Sequence, residues 1–214
     1  MTLMVNSSRR KLLAVFITLL VVFETAAFAA MMPTPSEPFI QIYLLGSNHL
    51  AGNYYPNNDS NIPVGAAVVW YLGVTNNMGT VQLISIRVKI ANETIEAPDP
   101  QRGIGSQGPL IIDFDRALLN NETWAIPFAW SISNATLSGA SVRVLTLHID
   151  NDTYELPDWT ATHGYNFRFI FEVWIWQTET NTFEFGWQTE GGHRAAWLQV
   201  WFNMTNPNPP SGIH

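Results

Sequence analysis

The sequence contains no cysteine. Its core therefore cannot depend on a disulfide framework, and zinc sites built on cysteine are excluded. Charged residues make up only 13% of the chain and apolar residues 47%, a balance that excludes intrinsic disorder for most of its length. A chain of 214 residues is long enough for one ordinary domain whose core is held by packing alone.

Basic residues are scarce beyond position 30. That part carries 7 basic and 16 acidic residues, and Lys89 is its only lysine. Binding to a phosphate backbone requires clustered Lys and Arg side chains, so the composition argues against nucleic acid as a partner. The same negative sign disfavours attraction to anionic lipid headgroups.

A basic cluster and a long apolar run open the chain, at 1–32. Arg9-Arg10-Lys11 precedes the apolar residues 12–23, and Ala27-Phe28-Ala29 follows. This order predicts either a secretory signal cleaved between Ala29 and Ala30 or an uncleaved signal-anchor helix. Residues 12–32 are long enough to span about 30 Å of hydrocarbon. An anchor would keep the N-terminus inside and place the domain outside the membrane, whereas cleavage would secrete it.

The part after the leader has the pattern of a β-protein. A Pro-rich spacer at 33–38 precedes a domain predicted at 39–206, and a loose polar tail is predicted at 207–214. Period-two alternation is clear in 62–74, 82–90 and 124–132, and turn residues separate the segments. We therefore predict an all-β fold: an antiparallel immunoglobulin-like sandwich of about eight or nine strands, preceded by one N-terminal hydrophobic helix.

Asn-x-Ser/Thr triplets are frequent in this domain. They occur at Asn58, Asn92, Asn121, Asn134, Asn151 and Asn203. Most fall in predicted turns, which favours N-glycosylation, although Asn and Thr are also ordinary turn residues. A modified Asn203 would have to face water.

Four tryptophans are predicted to share one outer face of the sandwich. If Asn203 faces water, Trp197 and Trp201 on the same strand do so too, and the alternation of 165–177 places Trp174 and Trp176 outside. A large exposed apolar patch, such as four neighbouring tryptophans would form, usually marks an interface. The alternative is that a further layer, or the long connection 91–108, covers this face.

Candidates for chemistry are weak. Asp150, Asp152 and Glu155 lack the glycine and the ligand number of a calcium loop, and the histidines lack metal-site spacing. A further alternative is an extracytoplasmic hydrolase that uses Asp113, Asp115 and Glu172. We therefore expect a non-enzymatic protein with no catalytic residues, no metal and no cofactor.

Short motifs indicate a family resemblance. Segments 42–46, 51–56, 62–65 and 73–77 occur in order, followed by Asn121-Glu122-Thr123-Trp124. Residues 39–175 thereby resemble the extracytoplasmic domain of an archaeal membrane-protein family, domain of unknown function 1616. The resemblance implies an archaeal envelope protein with an immunoglobulin-like domain on a membrane anchor, and it implies no catalytic residues.

These observations together predict a glycosylated cell-envelope protein. Its sandwich would dock onto a membrane protein, a surface-layer component or further copies of itself. The alternative is a secreted or anchored carbohydrate-binding module that uses the outward tryptophans as stacking platforms. Retention on polysaccharide would distinguish the two.

Overall fold

The computed structural model describes residues 7–31, 37–138, 141–162 and 167–204. Most of the predicted spacer (33–36), the predicted tail at 207–214 and His163 lie outside the described residues. The chain divides into two units, Met1–Glu37 and Pro38–His214.

The first unit contains one helix, α1, at Ser7–Met31. Its window Lys11–Phe28 has a mean hydropathy of 2.1, so by length and composition α1 is able to cross a membrane. At 1.5 Å per residue the helix is about 37 Å long, which exceeds the hydrocarbon thickness. The hydroxyls of Thr18 and Thr25 donate to the carbonyls of Ala14 and Val21 at 2.9 Å, so neither needs water. The helix fits an anchor or a signal sequence equally.

Thirteen strands follow in the described part of the second unit. They are β1 Phe39–Leu45, β2 Asn61–Ile62, β3 Val68–Asn77, β4 Gln82–Asn92, β5 Leu110–Leu118, β6 Thr123–Ser138, β7 Ser141–Ile149, β8 Asp152–Thr162, β9 Phe167–Gln177, β10 Thr182–Phe185, β11 Trp187–Thr189, β12 Gly192–Arg194 and β13 Trp197–Met204. Nine of them have seven or more residues, and these carry the predicted architecture.

Strands β11 and β12 pair with each other in a small separate sheet, and the other eleven strands form two packed sheets. One has the order β1-β3-β6-β7-β8, and the other the order β2-β13-β9-β4-β5, with β10 paired to the second half of β9. All the long neighbouring strands pair antiparallel, and the two-residue pairing of β2 with β13 is parallel. The predicted all-β, immunoglobulin-like sandwich is confirmed.

Alternation along the strands builds the core. The predicted inner face of β4 (Ile84, Ile86, Val88 and Ile90) is fully buried. On β6, Ile126 to Ile132 bury the predicted face, while Trp124 at its start is only partly buried. Both sheets contribute to a single apolar cluster, so the hydrophobic effect holds them face to face.

Two segments differ from the prediction. The segment 62–74 is not continuous, because Pro63 and Gly65 break it into β2 and β3; Gly65 has a φ of +81°. Strand β8 was not predicted at all. It directly follows the turn at Asp150, which has a φ of +52°, and it contains Pro157, so its sequence resembles a loop.

Candidate binding face

The candidate site lies on the outer face of β9, the side turned away from the core. Phe167, Phe169 and Phe171 point inwards, so Arg168 and Glu172 point outwards. Strand β13 pairs with β9 in a register that sets Trp201 opposite Arg168 and Trp197 opposite Glu172. The two tryptophan-bearing strands are therefore neighbours.

The connection between β4 and β5 covers part of this face. We call residues 93–109 the strap. Arg168 holds one end of it by donating from Nη2 to the carbonyl of Ile95. His193 Nδ1 lies 2.7 Å from the carbonyl oxygen of Pro100, and the far end is fixed at Ser106. The alternative that the long connection covers this face is thus correct for its central part.

A buried ion pair fixes the strap at Ser106. Lys89 Nζ lies 2.9 Å from Oε2 of Glu172, whose side chain is completely buried. The N–H of Ser106 donates to Glu172 Oε1 at 2.5 Å, and Lys89 donates to the carbonyl of Ser106 at 2.5 Å. Trp174 Nε1 donates to Glu172 Oε2 at 2.9 Å. This network satisfies both charges, as a buried pair requires.

Trp174 belongs to this covered region. The guanidinium carbon of Arg87 lies 3.9 Å from the centroid of the Trp174 ring, and the Phe185 ring lies 5.8 Å away. A Cβ on Gly105 would come within 2.8 Å of Trp174 Cζ2, so the strap backbone rests directly on the indole. The structure therefore does not present Trp174 as an open platform, in contrast to the prediction of four equivalent outward tryptophans.

The other three predicted tryptophans are half-buried, and no hydrogen bond or ring contact between them and the strap is found in the described part of the chain. Trp176 makes an edge contact with Phe183 at 5.2 Å between ring centroids. Trp197 and Trp201 lie on either side of Gln199 on the same face of β13. Their positions are four residues apart, which corresponds to about 13 Å along an extended strand. We call Trp176, Trp197 and Trp201 the tryptophan face.

Most polar groups beneath the tryptophan face have partners within the domain, whereas Nε of Arg168 is buried without a hydrogen-bond partner among the described residues. Arg168, which is only 5% exposed, packs at 4.6 Å against the Trp201 ring and donates from Nη1 to Gln199 Oε1 at 2.6 Å. Burial lowers the pKa of Arg168 from its usual value. The hydroxyl of Tyr55 donates to the carbonyl of Trp201, and burial raises the pKa of Tyr55 well above its usual range. The phenol therefore stays protonated and available as a donor.

The predicted sugar sites fall into three groups. Asn58, Asn121, Asn134 and Asn151 are exposed. Asn92 is partly buried, and its Nδ2 donates to the carbonyl of Thr160 at 2.8 Å. Asn203 is 5% exposed, and its Nδ2 donates to Asn61 Oδ1 at 2.8 Å. Asn203 therefore does not face water, as a glycosylated Asn203 would have to, because β2 pairs with the end of β13 and covers it.

We expect occupancy to follow this grouping if the chain is glycosylated. Glycopeptide mass spectrometry should find sugar on Asn58, Asn121, Asn134 or Asn151 and none on Asn203, because a glycan on Asn203 Nδ2 would break its bond to Asn61 and the β2–β13 pairing. Asn203→Gln should leave the glycan mass unchanged, whereas substitution of whichever exposed site is found occupied should lower it. Sugar on Asn203 in the folded protein would contradict the burial.

The predicted chemical groups are dispersed or already engaged. Asp150 accepts the N–H of Ala129 at 3.2 Å, and Glu155 accepts the hydroxyl of Thr146 at 3.2 Å. Within the residues described, no group of three or more His, Asp and Glu side chains is placed to hold a metal. Asp152 is exposed at the start of β8, directly after the turn that contains Asp150.

The three carboxylates of the hydrolase alternative occupy one sheet face but different environments. Asp113 and Asp115 are exposed on β5, where they pair in register with Arg87 and Ser85 of β4. Glu172 is enclosed by Lys89, Ser106 and Trp174. A general acid or base needs access to the reacting group, which the strap denies to Glu172.

No protein-family model matches this chain, and no curated protein matches it significantly. The resemblance to domain of unknown function 1616 therefore stays a prediction. Solved structures that are similar include the CARDB domain of a Pyrococcus furiosus protein in complex with di-metal ions. It is 12% identical, with 80% of this chain and 97% of that chain covered and a TM-score of 0.37.

Two other solved structures give similar values. A solution NMR structure of the same Pyrococcus furiosus CARDB domain is 15% identical over 79% of this chain and 96% of that chain, with a TM-score of 0.38. A beta-glucuronidase of Bacteroides uniformis is 10% identical over 76% of this chain and 13% of that chain, with a TM-score of 0.30. These low scores carry no inference about function, and the sandwich assignment rests on the strand pairing of this chain.

Proposed function

We propose that this chain is a non-enzymatic protein of the cell envelope whose β-sandwich docks onto another envelope protein through the tryptophan face. The observation that carries the proposal is the partial exposure of Trp176, Trp197 and Trp201 on the outer side of a sheet whose inner side is already packed. Large aromatic side chains left partly in water are enriched at protein interfaces.

The surroundings of the tryptophan face support docking over a role in folding. Arg168 and Tyr55 already have hydrogen-bond partners inside the domain. A docked protein would therefore contact the indole rings and Gln199 and would not have to supply partners for these two side chains. Trp197 and Trp201 lie on β13, which between them pairs, among the described residues, only on its β9 side. A partner could therefore also approach the free edge of this strand.

Helix α1 supports an extracytoplasmic location. It is long and apolar enough to cross a membrane, and Arg9-Arg10-Lys11 at its start would keep the N-terminus on the cytoplasmic side. We propose retention as an anchor, with the domain outside and the exposed Asn-x-Ser/Thr sites glycosylated. The partner would then be a membrane protein, a surface-layer component or another copy of this chain.

A second candidate function is carbohydrate binding. Trp197 and Trp201 stand on either side of Gln199, at a separation of about 13 Å along one strand. Two indole rings beside an amide group offer stacking surfaces and a hydrogen-bonding group, as sugar rings require. The amide oxygen of Gln199 is already used by Arg168, which leaves its nitrogen for a ligand.

Photo-cross-linking from Gln199 tests the docking proposal. We expect the full chain carrying p-benzoylphenylalanine at position 199 to form one adduct of defined mass in native envelopes. The double substitution Trp197→Ala and Trp201→Ala should abolish it while the thermal unfolding midpoint changes little. The matched control places the same photoreactive group at Leu119, which is exposed in a loop away from β13.

The outcomes separate the candidates. Equal adducts from positions 199 and 119 would refute a specific interface, and unfolding of the double variant would show that the indoles serve the core. Retention of the unsubstituted chain on immobilised polysaccharide, lost with the same two substitutions and without a protein adduct, would favour the carbohydrate-binding function.

A further inference from the structure

A recess lies on the outer face of the same sheet, between the end of the strap and the middle of β4. It has a volume of about 460 Å³ and is lined by Arg87, Lys89, Trp174 and the strap residues 103–108. Recesses of this size accommodate small ligands. Most of the lining is polar side chain or glycine-rich backbone, so an apolar ligand would fit its chemistry poorly.

The charges that line the recess do not cancel. Lys89 is neutralised by Glu172 and also donates to the carbonyl of Ser106. In the part of the chain that the structure describes, Arg87 forms neither an ion pair nor a hydrogen bond, and its Nε is removed from water without a partner. Arg87 therefore has no ion-pair partner among the described residues, although its register partners on the neighbouring strands, Asp113 and Glu172, are both acidic.

Stacking orients this free charge. The Arg87 guanidinium lies over the Trp174 ring with 3.9 Å between its carbon and the ring centroid. When the flat face of a guanidinium stacks on a ring, its N–H groups point outwards in the plane of the group. There they can donate to the two oxygens of a carboxylate. Trp174 is itself held by Glu172 and Phe185, so the orientation is preset.

Glycines allow the strap to form the opposite wall. A side chain at Gly105 would collide with Glu172 Oε2 at 2.8 Å, and Gly108 would collide with the carbonyl of Ile90 at 2.8 Å. Gly103 has a φ of +67°, which disfavours other residues. Backbone amides and carbonyls of this wall, together with Gln107, offer hydrogen bonds to hydroxyl groups.

We propose that this recess binds an acidic sugar, with the carboxylate of a hexuronate paired to Arg87 and its hydroxyls facing the strap. The charge selects an anion, the flat guanidinium edge matches the two oxygens of a carboxylate, and the volume and polar wall favour a hydroxylated ring over a bare anion. The inference is independent of docking through the tryptophan face.

Asp113 modulates this site. It is the register partner of Arg87 on β5 and is exposed, so we expect its carboxylate to compete with the ligand for the guanidinium. Substitution of Asp113 should therefore strengthen ligand binding, whereas substitution of Arg87 should weaken it.

Calorimetric titration of the full chain in detergent with sodium galacturonate tests the proposal, with galactose as the neutral counterpart. We expect galacturonate to bind and galactose to bind at least about tenfold more weakly. Arg87→Met should weaken galacturonate binding by about tenfold or more, whereas Asp113→Asn should strengthen it. Arg87→Lys keeps the positive charge but loses the paired N–H donors of the guanidinium. Its affinity for galacturonate should therefore lie between those of Arg87→Met and the unchanged protein.

Three results would overturn the proposal. Equal affinity for galacturonate and sodium acetate would show a bare-anion site without sugar recognition. Unchanged binding in a folded Arg87→Met variant would place the sugar elsewhere. Absence of measurable heat and of chemical-shift change at the Arg87 Nε–H with galacturonate would exclude the site itself.

Discussion

Substitution of Glu172 by glutamine is expected to lower the free energy of unfolding by about 3–5 kcal/mol. Glu172 is completely buried and accepts contacts from Lys89, Ser106 and Trp174. A neutral amide leaves the ammonium of Lys89, whose side chain is 10% exposed, without a countercharge. Urea denaturation of the full chain, followed by tryptophan fluorescence, measures the change.

Glu122→Gln is the matched control. Glu122 forms an ion pair of similar length with Arg116, at 2.8 Å, but the two side chains are 28% and 46% exposed. Water already solvates such a pair, so we expect a loss of at most about 1 kcal/mol. Equal losses in the two variants would show that burial does not set the strength of the Glu172 pair.

The same substitution should also release the strap. The N–H of Ser106 donates to Glu172 at 2.5 Å, and glutamine would no longer hold Lys89 against the carbonyl of Ser106. Hydrogen exchange at Ser106 should therefore accelerate more than exchange within β9, because local opening precedes global unfolding. The double substitution Lys89→Met with Glu172→Gln should recover part of the lost stability, since no unpaired charge remains.

Local alternation predicted most of the sandwich. Residues of β4 and β9 alternate between apolar and polar character, and the structure buries the predicted apolar face of each. This succeeds because a strand side chain's direction depends only on its position along the chain. Strand β8 was missed because its pairing with β7 outweighs a local sequence that contains Pro157.

The candidate face could be predicted only in part, because its environment depends on contacts between distant residues. The alternation of β13 groups Trp197 with Asn203, but it cannot show that Asn61, far earlier in the chain, pairs beside Asn203 and covers it. Likewise, the sequence allows Glu172 to face outwards but does not indicate that the strap folds back to Ser106 and buries it. Because Lys89 of β4 and Ser106 of the folded-back strap engage Glu172, Arg87 is left without an ion-pair partner among the described residues, and this was not predicted.

Substitution of Trp70 by alanine is expected to cost about 3–5 kcal/mol of the free energy of unfolding. Trp70 is completely buried, and the ring centroids of five aromatic side chains lie 5.2–6.2 Å from its own. Phe169 and Phe171 among them belong to the opposite sheet, so the indole joins the two layers. Its Nε1 also donates to the carbonyl of Tyr54 at 2.5 Å, which alanine would leave without this donor.

Trp197→Ala is the control, because it removes the same side chain from a half-buried position. Its loss of stability should be less than half of that for Trp70→Ala, since the indole at position 197 already contacts water and leaves no enclosed cavity. The comparison decides which tryptophans can serve an interface: a side chain whose removal unfolds the sandwich belongs to the core. A cost at Trp197 equal to that at Trp70 would mean that the tryptophan face is internal, and docking through it would have to be abandoned.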